Sequence, residues 1–314
     1  MKMSTQYTPE ALRNALQLGL LSFPVTDFDA EDVFDERSFT ERLEWLSTFG
    51  SSAIFAAGGA GEFFSLSAAE YAAIVACCVN HRSDGIPVIA ATGYGTQQAI
   101  HWAQEAERLG ADGLLLLPPY LTEGSQSGLA EHIAAVCRAT RLGVIIYNRA
   151  NMRVRADTLT RLAERCPNLI GFKDGVGDFE ELMKVRTSLG ERIVCINGMP
   201  TAEIYAEAFI GAGVPVYSSA IFNFIPSVAM RVYEAFNAGH KAFLDAFKRE
   251  FLVPYASLRA RQPGYAVSVI KAGVQLIGRS AGHVRPPLSD LTPTECDELA
   301  RLIERARTLE HGHA

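Results

Sequence analysis

Short apolar runs rich in β-branched and small residues alternate along this chain with longer stretches whose apolar positions recur three and four residues apart. That alternation is the pattern of strands interleaved with amphipathic helices. Strands are predicted over residues 20–24, 53–57, 87–92, 113–117, 143–147, 169–173, 192–197 and 215–219. Between them the helical period predicts helices near 37–48, 68–80, 97–109, 126–138, 156–165, 178–189, 201–210 and 226–238. Glycine or proline marks the return from helix to strand, as in Leu109-Gly110-Ala111-Asp112-Gly113 and Cys166-Pro167-Asn168, which suits a helix stop before a buried strand. Eight βα units close a parallel sheet on itself, whereas an open doubly wound sheet normally has fewer strands. The expected fold is therefore α/β, a (β/α)8 TIM barrel.

Residues 240–310 carry only helical patterns, near 240–260, 264–278 and 294–308, with Pro286-Pro287 and Thr292-Pro293 before the last helix. We expect a barrel with its N-terminal segment over 1–239 and a C-terminal helical extension over 240–314 packed on it. The 314 residues, 48% hydrophobic and 20% charged, suffice for a sizeable core and exclude a disordered chain. The formal charge of -6 is spread without long blocks of one sign, so no nucleic acid or other polyanion is expected as a partner. Cys77, Cys78, Cys137, Cys166, Cys195 and Cys296 form no CxxC pair and sit mostly in apolar segments, which reads as reduced thiols in the cytoplasm. Glu10 and Arg13 interrupt the first 19 residues, and no run nears the ~20 apolar residues of a membrane span. Neither a signal peptide nor a membrane association is expected.

In a barrel the reactive groups come from the C-terminal ends of the strands and the loops after them. Leu169-Ile170-Gly171-Phe172-Lys173-Asp174 ends an apolar strand on a lysine. Desolvation there disfavours the ammonium, and a neutral amine is what attack on a ketone requires. The alternative is an ion pair with Asp174 or another acid at the strand ends. Tyr147, ending Val144-Ile145-Ile146-Tyr147-Asn148, lies one strand away and could pass protons to and from such an amine. A rim tyrosine bonded to backbone is the simpler role. Gly58-Gly59-Ala60-Gly61-Glu62 offers bare N–H groups to a small carboxylate, or is only a tight turn.

Other motifs lead away from chemistry. Thr92-Gly93-Tyr94-Gly95 has Gln98 where a dinucleotide fingerprint needs its third glycine. Gly278-Arg279-Ser280-Ala281-Gly282 matches GxSxG but follows a helical stretch where a nucleophile elbow needs a strand. His81, His101, His132, His240 and His283 have no metal-ligand spacing, and His311 and His313 fall in the terminal tail. No metal or organic cofactor is indicated.

The Gly-Gly-Ala-Gly-Glu turn, Tyr147-Asn148, Gly171-Phe172-Lys173-Asp174 and Val284-Arg285-Pro286-Pro287-Leu288 occur in the order and spacing of a known family. Over nearly its whole length the chain resembles the dihydrodipicolinate synthase/N-acetylneuraminate lyase superfamily. The resemblance implies a (β/α)8 barrel with three added C-terminal helices and a Schiff base between a strand-six lysine and a 2-oxo acid. Lys173 becomes the imine-forming residue, Tyr147 its proton-transfer partner, and the loop at Gly59 and Ala60 the site of the oxo-acid carboxylate.

Residues 57–66, 147–149, 197–203 and 218–224 look most like a branch that removes water and carbon dioxide from an oxo sugar diacid. Two departures set the chain apart from its relatives. The synthase branch has hydroxyl residues in the glycine loop and a second tyrosine after the Pro-Tyr of strand four; here the loop reads Gly59-Ala60 and Leu121 follows Tyr120. The decarboxylating branch usually has threonine where Ala60 stands, so that hydroxyl is absent or replaced by Ser219 or water. For a diacid, Arg149 or Arg153 would meet the second carboxylate, or else carry solvent-facing or interface charge. Asn197 and Ser219 would bind substrate hydroxyls, or cap their strands. The resemblance also implies a homo-oligomer, a tetramer by family habit. A 2-oxo acid aldolase of the same superfamily and a non-catalytic sugar-acid sensor are the competing readings.

Overall fold

A computed structural model describes residues 5–120 and 123–312; Leu121 and His313 lie outside them. Eight parallel strands form a closed barrel in sequential order: β1 (Leu20–Ser22), β2 (Ala53–Ala56), β3 (Val88–Thr92), β4 (Gly113–Leu116), β5 (Gly143–Asn148), β6 (Leu169–Asp174), β7 (Val194–Asn197) and β8 (Tyr217–Ser219). The ring closes where Leu20 pairs with Tyr217 and Ser22 with Ser219. Each strand falls within the run expected for it to within two residues, because the parallel ladder ends where the strands splay at the mouths.

The helices in chain order are α1 (Pro9–Ala15), α2 (Glu36–Ser47), α3 (Ala68–His81), α4 (Thr96–Leu109), α5 (Gln126–Arg138), α6 (Ala156–Arg165), α7 (Phe179–Leu189), α8 (Ala206–Gly211), α9 (Pro226–Ala238), α10 (Lys241–Phe247), α11 (Val253–Arg259), α12 (Tyr265–Leu276) and α13 (Pro293–Gly312). Gly110 ends α4 in the left-handed region at φ 90°, a conformation that suits a residue without Cβ. A π-turn at Lys248–Leu252 joins α10 to α11. None of the helices is long and apolar enough to cross a membrane among the described residues.

Two elements depart from the expected pattern. α1 reads as a polar stretch, yet Thr8 caps it by accepting from Ala11 N at 3.2 Å and Pro9 opens it. Seven residues are too few to show a helical period, but the turn drives Leu12 and Leu16 into the interior layer of the barrel. A Cβ at Gly113, where β4 begins, would lie 2.5 Å from Leu12 Cδ2; the helix thus plugs the N-terminal mouth. The helix expected over 201–210 starts instead as a 3-10 turn at Ala202–Tyr205 before α8. Thr201 before it has φ 53°, and Asn197 Nδ2 donates to Ala202 O at 3.0 Å, which holds the tighter turn.

Inside the barrel Leu21, Phe55, Ile89, Leu115, Ile145 and Ile196 pack on one another, and the outward side chains of the strands meet the helices. The C-terminal helices bring Phe247, Phe251, Tyr255 and Val269 against Phe224 and Tyr217 of the β8 side. Two charged pairs pin the extension to the barrel. Lys271 of α12 lies 2.6 Å from Glu62 with both side chains buried, and Arg42 of α2 pairs with Asp27 at 2.6 Å while also donating to Ser280 O. Such pairs persist in a low-dielectric interior only when each charge finds its partner.

Candidate active site

The C-terminal mouth of the barrel, left open by α1 at the other end, holds a cavity of ≈ 320 Å³. Strand ends supply its floor, including Tyr147, Lys173 and Ser219, and α11 and α12 roof it with Tyr255, Arg259, Val267 and Ile270. Register places Tyr147 of β5 directly beside Lys173 of β6. Lys173 is 3% exposed, and its Nζ lies 3.9 Å from the centroid of the Tyr147 ring and 5.2 Å from that of Phe23. Burial lowers the pKa of the amine below the ordinary lysine value, Tyr147 opposes that shift, and the nearby Arg149 charge adds to it. Asp174 follows in the strand and therefore points to the other face. It accepts from Val176 N at 3.0 Å and Asn148 Nδ2 at 3.3 Å and so belongs to the outer surface of the barrel.

Tyr147 Oη donates to Gly198 O at 2.7 Å and accepts from Arg149 Nη1 at 2.9 Å. Burial raises the phenol's pKa, but Lys173 and Arg149 beside it outweigh burial and bring it below the ordinary phenol value. The phenol is thus wired both to a cation and to the loop after β7. That loop must run close. A Cβ at Gly198 would stand 2.8 Å from Lys173 Nζ and 2.9 Å from Tyr147 Cε2, so glycine there gives the amine its room. Nothing in the local sequence marks Gly198 for this task; only the register between β6 and β7 does.

The glycine loop leaves β2 with Ala57 at φ 51° and ends with Glu62 at φ 57°. Glu62 N donates to Gly59 O and Phe63 N to Gly58 O, each at 3.2 Å. The amides of Gly59 and Ala60 donate to no backbone acceptor among the described residues, and both residues line the cavity. Close approach is required at Gly58, where a Cβ would meet Phe23 Cδ1 at 2.9 Å. Below the loop Glu62 turns inward to Lys271 and accepts from Arg285 N at 3.0 Å. The loop is therefore tied to the C-terminal extension.

On the opposite wall Ser219 Oγ donates to Glu203 Oε1 at 2.6 Å and accepts from Phe222 N at 3.2 Å. Glu203 is wholly buried. Burial raises its pKa, against the Ser219 hydrogen bond and the charge of Arg259. Arg259 Nη1 donates to Thr201 Oγ1 at 2.9 Å. Sequence reasoning did not find Arg259, Thr201 or Glu203. Arg259 lies in a C-terminal helix some 85 residues beyond Lys173, and only the packing of α11 brings it to the mouth.

Of the residues singled out from the sequence, the cavity gathers Gly59, Ala60, Tyr147, Arg149, Lys173 and Ser219. Asn197 lies outside its lining: its Nδ2 is committed to Ala202 O and its Oδ1 accepts from Met199 N at 3.1 Å, so its side chain shapes the turn carrying Gly198. Arg153 faces a separate outer pocket with Asp174 and Asp178. Among the described residues no three His, Cys, Asp or Glu side chains gather as a metal would need. The cavity instead sets three basic side chains, Lys173, Arg149 and Arg259, in a lining that holds no aspartate or glutamate among the described residues. Such a site favours a ligand with more than one negative charge.

Comparison with known proteins gives concordant results. The model of the dihydrodipicolinate synthetase family matches residues 16–306. The chain is 54% identical over 298 residues to a protein of Azotobacter vinelandii named probable 5-dehydro-4-deoxyglucarate dehydratase, covering 95% of this chain and 98% of that one. A protein of Leptothrix cholodnii with the same name is 54% identical over the same shares. Among solved structures, dihydrodipicolinate synthase from Oceanobacillus iheyensis superposes with a TM-score of 0.86 at 24% identity, over 96% of this chain and 99% of that one. The Bacillus clausii synthase gives 0.85 at 25% identity, over 94% and 99%.

Proposed function

Because the chain belongs to the dihydrodipicolinate synthetase family, we propose that it is a decarboxylating dehydratase converting 5-dehydro-4-deoxy-D-glucarate to 2,5-dioxopentanoate, water and carbon dioxide through a lysine imine. Relatives at 52–54% identity carry the corresponding dehydratase name. The observation that carries the reading is the buried Lys173 amine in a cavity with two arginines, Arg149 and Arg259, and no carboxylate among the described residues of its lining, a match for a diacid with a ketone.

In this reading Lys173 attacks C5 of the substrate, and Tyr147 carries protons as the carbinolamine becomes an imine. The C6 carboxylate accepts from the free amides at Gly59 and Ala60. The C1 carboxylate lies in the field of Arg149 and Arg259, and Ser219 faces the hydroxyl-bearing carbons. The iminium draws electrons from C4, whose proton leaves, and the C3 hydroxyl then departs to give an unsaturated iminium. That conjugated system takes the electrons of the C1–C2 bond as carbon dioxide is lost; protons then add at C4 and C3, the enol at C2 becomes the aldehyde, and hydrolysis frees Lys173. The barrel, 1–239, supplies the imine chemistry in this scheme, and the extension, 240–314, closes the cavity. We place the enzyme in the cytoplasm, in keeping with six free cysteines, and as a homo-oligomer, a tetramer by family habit.

Incubation of the pure protein with 5-dehydro-4-deoxyglucarate is expected to release carbon dioxide and 2,5-dioxopentanoate in equal amounts. Pyruvate or a related fragment would instead identify an aldolase, and no product would identify a sensor. Borohydride reduction in the presence of pyruvate should leave its adduct on the peptide holding Lys173; an adduct on another lysine would overturn the imine assignment.

A further inference from the structure

Resting on that reading, the chemistry has a requirement that the imine and Tyr147 do not meet. The diacid enters as a dianion and leaves as a monoanion plus neutral water and carbon dioxide, so each turnover takes up one proton. The departing C3 hydroxyl needs a proton of its own, at a place distinct from C4. A donor for it must be a group whose surroundings favour the protonated form and which touches the cavity directly or through one carrier.

The wall at β8 holds such an arrangement. Glu203 is wholly buried and among the described residues has no cation within ion-pairing distance; the positive charge that bears on it is Arg259, which is engaged with Thr201. Among the described residues its Oε2 has no hydrogen-bond partner, and neither have the buried hydroxyls of Tyr217 and Tyr255, whose ionisation the charge of Glu203 would oppose. A carboxylate supported only by Ser219, its own backbone N–H and the charge of Arg259 is costly in such surroundings, and the neutral acid is the form that burial favours. From α8 the nearest acid, Glu207, is paired with Lys248 at 2.6 Å and is spent on the surface. Among the described residues the one polar contact between Glu203 and the cavity is Ser219 Oγ, 2.6 Å from Oε1.

We infer that Glu203 is the proton reservoir for departure of the C3 hydroxyl, acting through Ser219. For the transfer the Ser219 hydrogen turns from Glu203 to the substrate, and the carboxyl O–H donates to Ser219 Oγ in its place while Phe222 N continues to donate to it. As the C3–O bond breaks, that hydrogen passes to the leaving oxygen to form water, and the carboxyl proton moves to Ser219 Oγ. Glu203 is left as carboxylate. It regains a proton along the same path from water that refills the cavity after product leaves; the proton given to the hydroxyl is matched by the one lost from C4, and the net proton of the turnover is taken up at carbon after carbon dioxide has left. Glu203 is a positioning and supply residue; Ser219 is the one that touches substrate.

The test uses the full chain with Glu203→Gln and Ser219→Ala, alone and together. Gln keeps the hydrogen bond and removes the ionisable proton. Three readouts are taken: borohydride trapping of pyruvate on Lys173, entry of deuterium from D2O at C4 of recovered diacid, and release of carbon dioxide. The expected result for E203Q is wild-type trapping and wild-type C4 exchange with carbon dioxide release down about 100-fold or more. The limb of the wild-type pH profile on which kcat falls as Glu203 loses its proton should be absent from the variant. S219A should show the same split, and the double variant should be no slower than the slower single within about twofold. A misfolded or displaced site would lose exchange and carbon dioxide release together, and that outcome overturns the assignment, as does E203Q with wild-type turnover. Wild-type protein that releases no carbon dioxide from the diacid sinks the functional reading and this inference with it; turnover matched by E203Q removes only the role of Glu203.

Discussion

At Lys173 stability and reactivity pull against each other. Burial lowers the pKa of the amine in the folded chain, whereas in the unfolded chain it keeps its ordinary value of about 10.4. The unfolded state thus binds more protons between the two values, and stability rises with pH across that window. Below it the whole cost of burying the ammonium is present. Lys173→Met is therefore expected to abolish carbon dioxide release while raising the melting temperature at pH 7, with the gap closing as pH rises past the unfolded value; thermal unfolding across pH measures it. A variant less stable than wild type at pH 7 would show that the amine is not penalised. This residue and Tyr147 were legible in the sequence because each is a polar side chain closing an apolar strand. Glu203 was not: it sits in a segment read as an ordinary amphipathic helix, and its isolation is a property of what packs around it. Arg259 escaped for the converse reason, since a cation on a helix is ordinarily a solvated one.

Among elements, the stretch after α12 acts as a clamp on the barrel mouth. Arg285 reaches Glu70 at the start of α3 at 2.6 Å, Asp32 at 3.0 Å and Ser65 O at 3.1 Å, and its guanidinium lies 3.8 Å over the Phe28 ring. The hydrogen bonds from Arg285, against a smaller cost of burial, hold the Glu70 carboxyl down at about 2. A depressed carboxyl stabilises fully above its unfolded value and progressively less below it. Glu70→Gln is expected to cost on the order of 1–2 kcal/mol near neutrality after screening by solvent, and that difference should shrink as pH falls from about 4.5 toward 2. Urea unfolding at several pH values reads it, and a difference independent of pH would point to packing instead. The eight strands and their helices could be read in advance because continuous apolar runs and a 3.6 period survive in any context. The turn at Ala202 and the short α1 could not, because each owes its form to a partner distant in sequence: α1 to the barrel floor that buries Leu12, and the turn to Asn197, which answers to β7.

Over the whole molecule the net charge is -6, yet the cavity presents three basic side chains. A dianion must approach a negative protein and then find a positive mouth. Salt weakens the attraction at the mouth within a Debye length of about 10 Å at 0.1 M. We expect KM for the diacid to rise several-fold between low and 0.5 M salt with kcat changing less than about twofold; steady-state kinetics at fixed pH checks this, and a KM insensitive to salt would contradict it. The division of the cavity between strand ends and the helices above them has a further consequence during synthesis. The ribosome completes β6 some 80 residues before α11, so the strand that carries the amine is made well ahead of the helices that roof its cavity, and the cavity gains Tyr255, Arg259 and Ile270 only from the last quarter of the chain.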